Sequence, residues 1–245
     1  MNPRPSIVIF ILFLFSGLQA TAQLTPEYSA AYQSVLSHST SVYSKQLGDQ
    51  SPLFNGSRYI AYSYEFKSGT PFYQTNTFSP GSVVYNGIRY DSMELLYEDL
   101  REYLVVKNKD FLLQLISERI SEFTISGHLF IRIIADSSNK HLFKTGFYEI
   151  LYSGPSGVMK KTSKRMVEMA GFSEGLRRTI DETDSYYVKS GATWVQINSM
   201  EDLQNCFQKH KKEVQHFVKK NKLKFKKNPE NTVSQVAGYY DQIAN

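Results

Sequence analysis

The chain has 245 residues, with 28 Lys and Arg against 23 Asp and Glu, 17 Tyr and 16 Phe. A single cysteine, Cys206, excludes an internal disulfide framework, so stability has to come from packing. The net charge of +5 is unevenly placed: residues 200–245 hold nine Lys against five acids, and the body before them is balanced.

Residues 1–22, MNPRPSIVIFILFLFSGLQATA, have the pattern of an export signal. Arg4 supplies the positive start, Ile7 to Phe15 an unbroken apolar run, and Ala20-Thr21-Ala22 a small-residue cleavage site. The run is shorter than the ~20 residues that span a bilayer. The mature chain is therefore expected to begin at Gln23 and to be periplasmic or envelope-associated, with no transmembrane segment. No cysteine near the cleavage site offers a lipid anchor. Residues 23–245 read as one β-rich domain, with 199–245 a C-terminal helical hairpin.

PEYSAAYQSVLSHS places Tyr28, Ala31, Tyr32 and Val35 at helical spacing after Pro26, which predicts a short helix. The hexapeptide FNGSRY (54–59) recurs as YNGIRY (85–90). Asn-Gly between aromatic and β-branched residues signals a two-residue hairpin turn, so both copies are read as hairpins of one sheet. The other reading is a duplicated ligand site using Arg58 and Arg89. Apolar runs of strand length follow: MELLY (93–97), YLVV (103–106), FLLQLI (111–116), EFTI (122–125), HLFIRII (128–134), FYEILY (147–152), SYYV (185–188) and TWVQI (193–197). Ser-Gly pairs at 68–69, 126–127 and 190–191, and Gly154-Pro155-Ser156-Gly157, punctuate them. FLLQLISERI also fits a helical turn. Residues 159–184 are charged and interrupted by Gly171 and Gly175, and read either as a mobile loop or as a long strand pair.

At the C-terminus Ser199 is placed to cap a helix, with Asp202 three residues on. Leu203, Phe207, His210, Val214, Phe217 and Val218 then make one apolar stripe. Asn228-Pro229 starts a second helix, whose stripe is Val233, Val236, Ala237, Tyr240 and Ile243. The fold class is thus α+β: an antiparallel β-meander, as a twisted sheet or open barrel, with two C-terminal amphipathic helices.

Motifs for chemistry are sparse. There is no GxGxxG, GxxxxGK[ST], GxSxG or HExxH, so no cofactor, metal or catalytic residue is assigned. Ser156 reads as a turn residue. Cys206, His210 and Glu213 are spaced to share a helix face, which suits either a nucleophile trio or ordinary packing. Asp91, Glu94, Glu98, Asp99 and Glu102 offer a general acid/base pair, or a solvated face with Glu98-Asp99 at a hairpin tip. Asp181, Glu182 and Asp184 lack the glycine and distal glutamate of a calcium loop.

The basic run remains. Lys219, Lys220, Lys222, Lys224, Lys226 and Lys227 follow one another with no acid between them. Export excludes nucleic acid as the partner, which leaves anionic lipid, acidic glycan or an envelope protein.

The series LFNGSRYIAY, GTPFYQ, GSVVYNGIRYDSMELLYED, FTISGHLFIRI, KTGFYEILYSG and KKNKLKFKKN…YYDQ resembles a group of exported proteins of Bacteroidetes-type bacteria. That resemblance implies an envelope location and carries no activity or site residues. The sequence therefore points to an exported envelope protein that binds rather than catalyses. The alternative is an envelope hydrolase whose site is assembled from scattered carboxylates.

Overall fold

The computed structural model describes residues 53, 55–108, 111–171 and 175–244. The export signal and the helix expected after Pro26 lie outside the described residues. Eleven strands form one antiparallel sheet in the order β1-β5-β4-β3-β2-β6-β7-β8-β9-β10-β11. They are β1 Ser57–Arg58, β2 Ser79–Tyr85, β3 Ile88–Glu98, β4 Tyr103–Asn108, β5 Phe111–Gln114, β6 Ile120–Ile125, β7 His128–Ile133, β8 Gly146–Tyr152, β9 Val158–Gly171, β10 Gly175–Ser190 and β11 Thr193–Ile197. The chain winds outward from β2 to β5, returns so that β6 pairs with the free side of β2, and meanders on to β11. The sheet is not closed: β1 and β11 are its two edges.

One row of directly opposed residues shows how the face toward the core is built. Tyr90, Val83, Phe123, Phe130, Glu149, Lys160, Tyr186 and Ile197 are successive cross-strand partners over eight strands. All eight are buried. The sheet is strongly curled. β3 and β9 are five positions apart in the strand order, which in a flat sheet would be roughly 24 Å. Yet Asp99, just after β3, lies 3.2 Å from Lys164 on β9, and Glu102 pairs with Lys161 on the same strand. Tyr97, Phe123, Phe130 and Phe147 fill the inside of the curl with ring-to-ring contacts of 4.7–5.9 Å.

The two hexapeptides do different things. Asn86 (φ 52°) and Gly87 (φ 75°) join β2 to β3 in a two-residue turn, as expected. Asn55-Gly56 is not a hairpin, which corrects the sequence reading. Ser57 and Arg58 pair with Gln114 and Leu113 as a short edge strand. Gly56 is needed there for close approach, because a Cβ would sit 2.1 Å from the Gln114 carbonyl oxygen.

The described residues of 159–184 form the strand pair. β9 and β10 are matched residue for residue from Val158–Val188 to Gly171–Gly175. Their polarity is a cross-strand charge ladder: Arg165 opposes Asp181 (2.9 Å), Arg178 opposes Glu168 (2.6 Å), and Lys164 opposes Glu182 (3.1 Å). Such opposed charges stabilise a pair of strands that carries little apolar surface. FLLQLISERI divides into strand β5 and a single 3-10 turn, Ser117–Arg119.

Three helices follow the sheet: α1 Met200–Cys206, α2 Lys211–Lys220 and α3 Pro229–Ala244. The first expected helix is in fact two. The helical path breaks at Phe207 (φ −114°, ψ 46°) and passes through a 3-10 turn, Gln208–His210. The caps form as expected. Ser199 accepts from the Asp202 N–H, Asp202 accepts from the Asn198 N–H, and Asn228 accepts from the Asn231 N–H. Leu203, Phe207, Val214, Val218, Val233, Val236 and Ala237 pack on Val158, Tyr186, Val188 and Ile197 in a second core. Stacked rings tie the helices together, Phe207 on Tyr240 at 4.2 Å and Phe217 on Tyr239 at 4.1 Å. Among the described residues, no helix is long and apolar enough to cross a membrane.

Candidate functional site

The clustered carboxylates divide: Asp91 and Glu94 are exposed, whereas Glu98 and Asp99 are buried. Glu98 is fully buried. Its carboxylate accepts from the Tyr59 hydroxyl (2.6 Å), the Tyr62 hydroxyl, and both Nε and Nη2 of Arg101. The Arg101 guanidinium in turn lies against the rings of Tyr59, Tyr62 and Tyr103. Asp99 is also buried, and burial pushes its carboxyl up to about 7 despite the opposing Lys164 ammonium. Asp91 pairs with Arg89 at 2.9 Å, and Glu94 is exposed. The reading of Glu98-Asp99 as an exposed tip fails because the curl of the sheet and residues 59–72 cover that turn.

The trio on the first helix does not assemble. Cys206 ends α1, and His210 lies in the separate 3-10 turn, 3.8 Å from Glu213. Burial, with Asp202 nearby, pushes the Cys206 thiol up to about 11, so it is protonated near neutral pH. Its side chain packs against the helical core. Ser156 is a buried turn residue whose N–H donates to the Asp241 carboxylate. Arg58 is exposed on β1, and Arg89 is held by Asp91, Glu122 and Ser82. Among the described residues no cluster of three His, Cys, Asp or Glu side chains is arranged to hold a metal.

The lysine run keeps its prominence. Lys219, Lys220, Lys222, Lys224, Lys226 and Lys227 are all exposed, and none makes an ion pair among the described residues. The connection from α2 to α3 alternates: Leu223 and Phe225 pack into the helical core, Phe225 against Tyr186 at 6.1 Å. The neighbouring Lys222, Lys224 and Lys226 stay in solvent. The chain is further fixed by Leu223 N–H donating to the Val218 carbonyl and Lys227 N–H to that of Lys224. The ammonium groups are therefore displayed by an anchored segment.

Two features escaped the sequence reading. The first is a polar junction between the two cores. Glu149 lies 2.8 Å from the Lys160 ammonium, accepts from the Tyr73 hydroxyl, and is 2.6 Å from His128 Nδ1; Lys160 also reaches Glu230 at the start of α3. A shallow cleft of about 420 Å³ opens beside it. The second is a cleft of about 680 Å³ built by the irregular segment between β1 and β2. That segment crosses the sheet like a strap. Tyr59 N–H bonds Leu112 on β5, while Lys67 N–H bonds Arg178 and Ser68 accepts from Ile180 on β10. Lys164 donates to the carbonyls of Thr70 and Phe72 beneath it. Tyr59, Tyr62, Tyr64, Phe66, Phe72 and Phe78 line the cleft. The alternation in YSYEF, an aromatic at every second position, is the sequence signal that marked it.

No family model, curated protein or solved structure matches the chain.

Proposed function

We propose that this is an exported cell-envelope protein that works by binding, and that residues 219–227 contact an anionic envelope surface. The export-signal pattern of residues 1–22 and the resemblance to exported proteins support the location. The observation that carries the contact is the anchored lysine segment: Leu223 and Phe225 are held in the core while six neighbouring ammonium groups are left without a carboxylate among the described residues. In the β9–β10 ladder, by contrast, Lys164, Arg165 and Arg178 each face a carboxylate. An unmatched run of lysines concentrates positive potential, which attracts phosphate-bearing headgroups by up to roughly 1 kcal/mol per lysine and is screened within a Debye length.

Binding is preferred to hydrolysis because the candidate carboxylates Glu98, Asp99 and Glu102 are committed to internal cations. Co-sedimentation with phosphatidylglycerol vesicles tests the contact. Binding should fall steeply between about 50 and 300 mM salt, and should vanish when the six lysines become glutamine. Salt-independent binding, or equal binding by the glutamine variant, would refute it.

A further inference from the structure

We infer that the cleft under the strap is a binding site for a neutral oligosaccharide. The inference rests on the protein being a binding module but not on the lysine segment, which is a separate surface. Three observations carry it.

First, aromatic rings cluster along the cleft. Tyr62, Tyr64 and Phe66 are inclined to one another by 55–80°, with centroids 5.0–5.6 Å apart. Rings in contact with one another leave no gap for an ammonium group, so they do not make a cation cage. Each ring face left open can stack against the C–H face of a single pyranose ring. Arg101 lies over one face of Tyr62 at 4.5 Å and Arg178 over one face of Tyr64 at 3.9 Å, which leaves their other faces and Phe66 for a sugar.

Second, uncommitted polar groups stand among the rings. The Glu65 carboxylate and the Asn76 carboxamide line the cleft, are exposed, and have no partner among the described residues. Gln74 donates its amide to the Tyr73 hydroxyl, which leaves its carbonyl oxygen to accept. Planar carboxylate and amide groups can each engage two vicinal hydroxyls, and a sugar presents both donors and acceptors to them.

Third, the charge and shape exclude the nearest competitors. Among the described residues, Glu65 is the only charged one lining the cleft. The two arginines nearby are occupied, Arg101 by Glu98 and Arg178 by Glu168. An acidic glycan would meet a carboxylate, with no cation among the described lining residues. An acyl chain needs a dry enclosure, whereas this cleft is open and includes Thr70, Gln74, Thr75 and Asn76 in its wall.

Isothermal titration of the mature protein with cellohexaose, chitohexaose, maltohexaose, a heparin hexasaccharide and a proline-rich decapeptide tests this. At least one neutral hexasaccharide should bind with Kd below about 1 mM. Glu65→Ala and Asn76→Ala, at exposed positions that hold nothing in the fold, should each weaken it by about tenfold. Tyr64→Ala should abolish it, with circular dichroism checking that the strap still folds. The variant with the six lysines changed to glutamine should bind the sugar as wild type does, so the two binding surfaces can fail separately. Binding of the heparin hexasaccharide or the peptide alone, no binding of any neutral hexasaccharide, or neutral-sugar binding indifferent to Glu65 and Asn76 would each overturn the inference.

Discussion

Glu149 and Lys160 face each other across β8 and β9, carboxylate to ammonium at 2.8 Å, in the middle of a row of buried side chains. Apolar residues flank them on both sides, Phe130 toward the aromatic core and Tyr186 toward the helical one. The pair therefore sits at the seam between the two cores. Removing one partner of a buried pair leaves the other charge uncompensated, which costs about 3–5 kcal/mol, whereas replacing both by apolar residues is often neutral. Lys160→Met should lower the unfolding free energy in urea by about that amount. Combining it with Glu149→Leu should recover most of the loss. A single variant as stable as wild type would mean that the seam is held by apolar packing alone.

Asp99 gives the fold a defined pH dependence. Its carboxyl is raised from 3.8 to about 7 by burial. Between those values the native state binds a proton that the unfolded chain has released, so ionising the group works against folding. The stability of wild type relative to Asp99→Asn should therefore fall as pH rises from about 4 to about 7, then level off. Urea unfolding of both proteins across that range checks it. A relative stability that rises with pH would show that the Lys164 ammonium outweighs burial and the like charge of Glu182.

The two copies of the hexapeptide separate cleanly by glycine substitution. Gly87→Val places a β-branched residue at φ 75° with open space around it, so the cost is backbone strain, on the order of 1 kcal/mol or more. Gly56→Ala instead drives a methyl group into the Gln114 carbonyl, so it should release the β1 edge and leave the β2–β3 hairpin intact. Hydrogen exchange at Tyr59, whose N–H bonds the Leu112 carbonyl, should speed up in Gly56→Ala only. Equal acceleration in both variants would contradict the assignment.

Cys206 is a packing residue. With its thiol raised to about 11, alkylation by iodoacetamide at pH 7.5 should be slow and should accelerate only in strongly alkaline solution. Cys206→Ala should leave vesicle and saccharide binding unchanged. Rapid labelling at neutral pH would reopen the nucleophile reading.

The strands were legible where the physics is local. HLFIRII follows the Ser126-Gly127 turn and TWVQI the Ser190-Gly191 turn, and each became a strand, while MELLY became the second half of β3. The Ser199 and Asn228 caps were legible for the same reason. What escaped depends on partners far along the chain. Arg178 and Glu168 look like a polar zone until the hairpin sets them side by side. Glu98 looks solvated until Tyr59 and Tyr62 close over it from 39 and 36 residues away. The break at Phe207 was hidden because the apolar stripe keeps its spacing through the 3-10 turn. The strap was unreadable as structure, since residues 59–78 take their course from hydrogen bonds to β5 and β10 rather than from their own periodicity.

Export and the lysine segment can be tested together in one measurement. Cells expressing wild type, or the variant with Lys219, Lys220, Lys222, Lys224, Lys226 and Lys227 changed to glutamine, are fractionated at low salt, and the recovered protein is examined by mass spectrometry. Both chains should begin at Gln23, wild type should sediment with the envelope and be released by salt, and the variant should be found in the soluble periplasmic fraction. Recovery of chains that retain residues 1–22, or the same distribution for both proteins, would contradict this.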